Sequence, residues 1–172
     1  KLTTERTLAE IAAETGLELV ILRPPLVYGP GVGGNFRALM RLAGSSLPLP
    51  FAALDNRRSL IFLDNLVDLT AAAALHRDAA GQVFLAADGA DQSTPALIRI
   101  LARGQGKAAR LFALPDPLFA MLRRVPRLGP AVSRLTLSLR IDDGGTRERL
   151  GWRPPIGAEA GLLATARAFA AG

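Results

Sequence analysis

One short apolar run, Leu17-Glu18-Leu19-Val20-Ile21-Leu22, constrains this chain more than any other segment. Residues 2–15 before it carry Leu8, Ile11 and Ala12 at helical spacing, and Gly16 stands where a C-cap glycine belongs. Behind it comes a stretch dense in proline and glycine, 24–34. Helix, glycine turn and buried strand make half of a βαβ unit. A short β-branched run of this kind suits a strand covered on both faces of a parallel sheet. The expected class is therefore α/β.

The remaining punctuation extends that pattern. Asn35 is placed to cap a helix over 36–42, and Leu47-Pro48-Leu49-Pro50-Phe51 reads as extended, because each proline disfavours helix at the residue before it. Residues 59–63 form a second strand, after which Asp64 or Asn65 caps a helix to about Leu75. Residues 82–87 are a third strand. Thr94 as N-cap with Pro95 at the first helical position opens a helix to about Arg103. Short strands are expected over 110–114 and near 139–142, helical pieces over 116–138, a turn at 150–155 and a last helix over 157–171.

Composition removes several function classes. The 172 residues carry a net charge of +6, almost all of it from arginine, but aromatics make up only 5%. With few stacking platforms and scattered arginines, no nucleic-acid partner is expected. There is no cysteine, which excludes disulfides and thiolate metal sites, and His76 stands alone, so no metal is expected. His76 reads as a helix-end residue. No apolar run approaches the roughly 20 residues of a membrane span, and the cytoplasm is the default compartment. Gly29-x-Gly31-x-Gly33-Gly34 lacks the G-x-G-x-x-G spacing of a dinucleotide loop and is read as a flexible loop. Arg123, Arg124, Arg127 and Arg134 form a basic, apolar-interleaved stretch, read as a solvated face, with contact to a membrane surface the minority reading.

Three segments carry a resemblance. Leu22-Arg23-Pro24-Pro25-Leu26-Val27-Tyr28-Gly29-Pro30-Gly31 follows the first strand, Arg57-Arg58-Ser59-Leu60-Ile61-Phe62-Leu63-Asp64-Asn65-Leu66-Val67 spans the second, and Leu150-Gly151-Trp152-Arg153-Pro154 precedes the last helix. In order and spacing they resemble the extended short-chain dehydrogenase/reductases of the NAD-dependent epimerase/dehydratase family, over essentially the whole chain. The resemblance implies the C-terminal part of a Rossmann-type enzyme with a mixed α/β substrate-binding lobe, without the N-terminal dinucleotide-binding half. Residues 1–30 would end the Rossmann domain, and 31–172 would form mainly the substrate lobe, with 59–87 returning to the Rossmann sheet.

What the resemblance implies about function follows residue by residue. Lys1 matches the catalytic lysine, which also grips the cofactor; its tyrosine partner would lie four residues upstream. Pro24, Leu26 and Val27 would meet the nicotinamide end of NAD, or of NADP. Asn35 and Arg58 would contact the diphosphate of a nucleotide-sugar, with Arg57 as a neighbouring alternative to Arg58. Leu49 and Phe51 would line the base, with Phe51 as a plain core residue the equal alternative. Leu26 departs from the asparagine common in UDP-sugar epimerases, and the later phosphate-binding arginine has no secure match, with Arg134 and Arg140 as candidates. The implied enzyme epimerises a UDP-hexose at C4 or reduces a 4-keto-sugar, as a homodimer when full length. A non-catalytic member of the same fold is the rival reading. The chain by itself is expected to be inactive.

Overall fold

The computed structural model describes residues 2–127 and 129–172. Among these, helices and strands follow in the order α1 (Leu2–Thr15), β1 (Ile21–Arg23), β2 (Leu26–Tyr28), α2 (Gly34–Ala43), β3 (Leu60–Phe62), α3 (Leu63–Leu75), β4 (Val83–Leu85), α4 (Thr94–Gly104), α5 (Asp116–Leu122), α6 (Gly129–Thr136), α7 (Gly144–Leu150) and α8 (Ala158–Ala171). Both strand pairs are parallel. β1 lies on β4 with Ile21 opposite Val83, and β2 lies on β3 with Leu26 opposite Leu60. Parallel partners need long crossovers, which the intervening helices supply.

Several expected boundaries shift. The first strand is shorter than the 17–22 run, beginning at Ile21, and Leu17 is 57% exposed. Among the described residues β1 has one partner strand, and Ile21 and Leu22 are half-buried rather than enclosed while Arg23 is exposed. The 24–34 stretch is not all loop. A bend at Pro25 leads from β1 into β2. Gly33, not Asn35, precedes α2, and Asn35 sits in the helix's first turn. Neither Asp64 nor Asn65 caps α3, which starts at Leu63 directly after β3. Ser93 rather than Thr94 caps α4, its hydroxyl accepting from the Ala96 N–H at 3.3 Å. The strands expected near 111 and 139 reduce to isolated bridges, Leu49 with Leu111 and Arg58 with Leu139. Helix α7 was not anticipated.

The main core gathers Tyr28, Phe36, Met40, Leu60, Phe62, Leu97, Ile98, Leu101 and Leu162. Burying one such side chain contributes roughly 1.5–3 kcal/mol. Helix α8 comes close to the β2–β3 pair at Gly161, where a Cβ would stand 2.9 Å from Phe62 Cγ and 3.0 Å from the Tyr28 hydroxyl. The turn before α8 is fixed by Trp152, buried and donating its indole N–H to Asp68 Oδ1 at 2.6 Å. No helix among the described residues is long and apolar enough to cross a membrane.

A buried polar knot sits inside this apolar frame. Asp88, at the exit of β4, accepts from the Tyr28 hydroxyl at 2.6 Å, the Phe62 N–H at 3.0 Å and the Asn65 amide at 2.8 Å. Asn65 also donates to the Ile156 carbonyl at 2.8 Å and accepts from the Ile156 N–H at 3.0 Å. One carboxylate thus ties β2, β3, α3 and the turn before α8 together.

Burial, and then the Asp88 carboxylate, push the Tyr28 phenol far above its ordinary value of 10.0. The raised folded pKa means that the neutral phenol's contribution to stability is complete below the unfolded value and is lost as pH rises past it. Because Tyr28 is the one tyrosine in the chain, its phenolate absorbance is expected to appear together with unfolding in an alkaline titration. Ionisation with an ordinary midpoint and intact far-ultraviolet circular dichroism would contradict the burial described.

Candidate functional site

Arg57 and Arg58 are adjacent on an extended segment, so their side chains leave on opposite faces. The backbone of this segment is held on both sides. Arg58 exchanges two hydrogen bonds with Gln92, each 3.0 Å, while Ser59 N–H donates to the Leu139 carbonyl at 2.9 Å and Leu139 N–H to the Arg57 carbonyl at 2.8 Å. The result aims the two guanidiniums into different hollows.

Arg58 enters a cavity of about 130 Å³ lined also by Leu26, Asn35, Phe36, Leu39 and Arg134. Its Nη1 donates to the Arg134 carbonyl at 2.5 Å and the Leu137 carbonyl at 3.1 Å, at the C-terminal end of α6. Half-buried there, Arg58 has its pKa lowered from the ordinary guanidinium value by loss of water. The Arg134 side chain reaches across, its Nη1 donating to Asn35 Oδ1 at 3.3 Å. Beyond this contact lies a second hollow of about 300 Å³, which shares Asn35, Leu39, Arg134 and Leu135 with the first.

Helix α6 is held over these hollows by further bonds. The Thr94 hydroxyl donates to the Leu135 carbonyl at 2.5 Å, and the Asn56 amide donates to Thr94 Oγ1 at 3.1 Å. Thr94 N–H in turn donates to Asn56 Oδ1 at 3.0 Å. Both Asn56 and Thr94 are buried, so these bonds lock the start of α4 to α6.

Arg57 lies elsewhere. It pairs with Asp55 at 3.0 Å and lines a separate hollow of about 780 Å³ with Asp91 and Arg140. Arg140 is tied to Asp91 at 2.8 Å and does not approach Asn35 or Arg58 along the cavity wall. Of the two arginines considered for a second phosphate contact, Arg134 is the one brought to the Asn35 cavity.

Leu49 N–H donates to the Arg110 carbonyl at 2.8 Å and its carbonyl accepts from Phe112 N–H at 3.0 Å, so both backbone groups are spent within the chain. Phe51 is buried in the core and stacks on Phe119 with ring centroids 6.1 Å apart. Neither lines the Asn35 cavity. Lys1 lies outside the described residues. Pro24 stands between β1 and β2, and Leu26 and Val27 are in register with Leu60 and Ile61. Successive strand residues direct their backbone groups to opposite sides, so one of these two N–H groups turns away from β3.

Residues 1–87 match the NAD dependent epimerase/dehydratase family. Over 166 residues, 96% of this chain, the sequence is 41% identical to a UDP-glucose 4-epimerase of Vibrio cholerae. The chain belongs to the NAD dependent epimerase/dehydratase family. It spans about half the length of that relative, 51%. Among solved structures, RMD from Pseudomonas aeruginosa complexed with NADPH superposes with a TM-score of 0.71 at 18% identity, covering 100% of this chain and 55% of that one. UDP-glucuronic acid 4-epimerase from Bacillus cereus in complex with NAD gives 0.70 at 20% identity, covering 98% and 50%. At these identities the likeness establishes the fold: a mixed α/β, Rossmann-like architecture matched over about half of each neighbour.

Membership sharpens what the buried tyrosine means. Tyr28 is the chain's one tyrosine, and it is held as a neutral phenol on Asp88. Buried and donating to Asp88, it is unfit to act as a general base at neutral pH.

Proposed function

We propose that this chain is the substrate-binding portion of an NAD-dependent nucleotide-sugar epimerase/dehydratase acting on a UDP-hexose by hydride transfer at a sugar carbon, with C4 epimerisation as the reaction. The reading is carried by the cavity that Leu26, Asn35 and Arg58 line together, faced by Arg134. The 41% identity to a UDP-glucose 4-epimerase supports the substrate class. Residues 1–30 and 59–87 are assigned to the dinucleotide-binding part and the rest mainly to the substrate lobe.

Each residue then has a defined task. Arg58 presents a planar fork that matches two phosphate oxygens. To use it, Arg58 exchanges the Arg134 and Leu137 carbonyls for the diphosphate. Asn35 lies in the first turn of α2, where unpaired N–H groups and the helix dipole favour an anion. A cavity of about 130 Å³ is too small for a nucleotide-sugar. The ligand is accommodated when the Asn35–Arg134 contact opens into the adjoining hollow. Leu26 offers the sugar an apolar wall and no hydrogen bond.

For the cofactor, the residues present fit the nicotinamide end alone. The Pro24 carbonyl and the outward N–H of Leu26 or Val27 would hold the carboxamide, whereas the 29–34 glycines lack a phosphate-cradling spacing. Bound NAD supplies the hydride acceptor. Lys1 is assigned the grip on the nicotinamide ribose and the lowering of the pKa of a tyrosine one helical turn upstream.

The test has two arms. The polypeptide containing this chain and a dinucleotide-binding half, supplied with NAD, is expected to interconvert UDP-glucose and UDP-galactose. The 172 residues by themselves are expected to bind UDP in calorimetry and to turn over nothing. Failure of UDP to bind, together with no turnover of any UDP-hexose, would sink the reading.

A further inference from the structure

Residues 117–141 contain five arginines and no aspartate, glutamate or lysine. Two of the five are spent inward: Arg123 on Thr136 Oγ1 at 2.9 Å, and Arg134 on Asn35. Arg140 is paired with Asp91. Arg124 and Arg127 are exposed, and no ion pair engages them among the described residues.

The same segment shows an apolar face to water. In α5, Phe119 is buried and Leu122 is half-buried against the main core. The stripe beside them holds Leu118, 41% exposed, Met121, 61%, and Val125, 38%. Spacings of three and seven residues put these on one side of a helix. The coil continues past Leu122 in tight turns, with Arg124 N–H on the Met121 carbonyl at 3.0 Å and Val125 N–H on the Leu122 carbonyl at 3.1 Å. Three unbranched or branched aliphatic tips thus stand beside two free guanidiniums.

We propose that this face docks the protein on an anionic lipid bilayer, lying on the surface without crossing it. Aliphatic tips of this kind enter the boundary between headgroups and acyl chains, while flanking arginines meet lipid phosphates. Competing occupants fit the chemistry less well. A second copy docked symmetrically would set Arg124 and Arg127 against their own duplicates. Nucleic acid would place phosphates against Leu118, Met121 and Val125, none of which can stack on a base.

Co-sedimentation of the 172-residue chain with vesicles tests this. Binding is expected to vesicles of phosphatidylcholine mixed with phosphatidylglycerol, and little to phosphatidylcholine alone. It should fall away when salt is raised to about 1 M, where the screening length drops to about 3 Å. Removing both charges, Arg124→Gln with Arg127→Gln, should weaken partitioning roughly 30-fold, at about one kcal/mol for each arginine near the surface. Met121→Glu should weaken it at least about tenfold through the lost apolar insertion. All three substituted side chains are exposed, and unchanged circular dichroism would show that the variants fold. No binding to the anionic vesicles overturns the proposal, as does equal binding to both vesicle types. Concentration-dependent self-association without lipid that Met121→Glu abolishes would give the face to a second copy and overturn it as well.

Discussion

Asp88→Ala is expected to destabilise the chain by on the order of 3–5 kcal/mol, from buried donors left without their acceptor. Three donors converge on this carboxylate, and they differ in what they retain. The Tyr28 hydroxyl keeps the Ala158 carbonyl at 3.1 Å, and the Asn65 amide keeps the Ile156 carbonyl at 2.8 Å. Phe62 N–H bonds to both Asp88 oxygens, at 3.0 and 3.1 Å, and keeps nothing. Alanine therefore orphans one backbone donor, weakens two side chains and opens a void beneath Tyr28. Against a typical domain stability of about 5–15 kcal/mol, such a loss is large. Asp88→Asn should cost about half as much. Its amide oxygen still accepts from Phe62, and the Tyr28 hydroxyl falls back on Ala158. Urea denaturation measures both variants, and a loss below about 1 kcal/mol for alanine would show that the knot is not what joins β2, β3 and α8.

Helices with local signals were legible in the sequence, and features made by distant meetings were not. The end of α1 is marked by Gly16, whose φ of 74° favours glycine. α8 begins one residue after the sequence reading because its alanine-rich face and preceding turn are both local. β2 was hidden because two prolines argue against a strand in a window that cannot show β3 beside it. α7 starts with Gly144-Gly145, poor helix formers. It is held by tertiary bonds, the Thr146 hydroxyl meeting Leu85 N–H at 3.0 Å and the Leu85 carbonyl at 2.8 Å. Asp88 carries no local signal, because its partners Tyr28 and Asn65 lie 60 and 23 positions away. The cavity shows the same division. Leu26, Asn35 and Arg58 fall within motif segments, but nothing local signals that Arg134, 99 positions from Asn35, closes over them. The Pro-x-Pro stretch around Leu49 announces extended backbone and is silent on which segment will claim its hydrogen bonds, here Arg110 and Phe112.

Arg58→Ala is expected to weaken UDP binding about 10- to 150-fold, the equivalent of one charge-assisted contact of roughly 1.5–3 kcal/mol. Arg57→Ala should change it less than about twofold. The two arginines are neighbours in sequence with equal formal charge, so bulk electrostatics would treat them alike. Their hydrogen bonds do not. Arg57 is half-exposed, paired with Asp55, and faces the hollow of Asp91 and Arg140. Arg58 is partly stripped of water and faces Asn35. Arg58→Ala also releases the Arg134 and Leu137 carbonyls, so a drop in stability accompanies the binding loss. Arg58→Lys separates the two effects. It returns a cation to the cavity but not the fork, and it should recover part of the binding while leaving the double carbonyl contact broken. Calorimetric titration with UDP, alongside thermal melts of each variant, distinguishes these outcomes. If Arg57→Ala and Arg58→Ala weakened UDP equally, the phosphates would not sit in the Asn35 cavity.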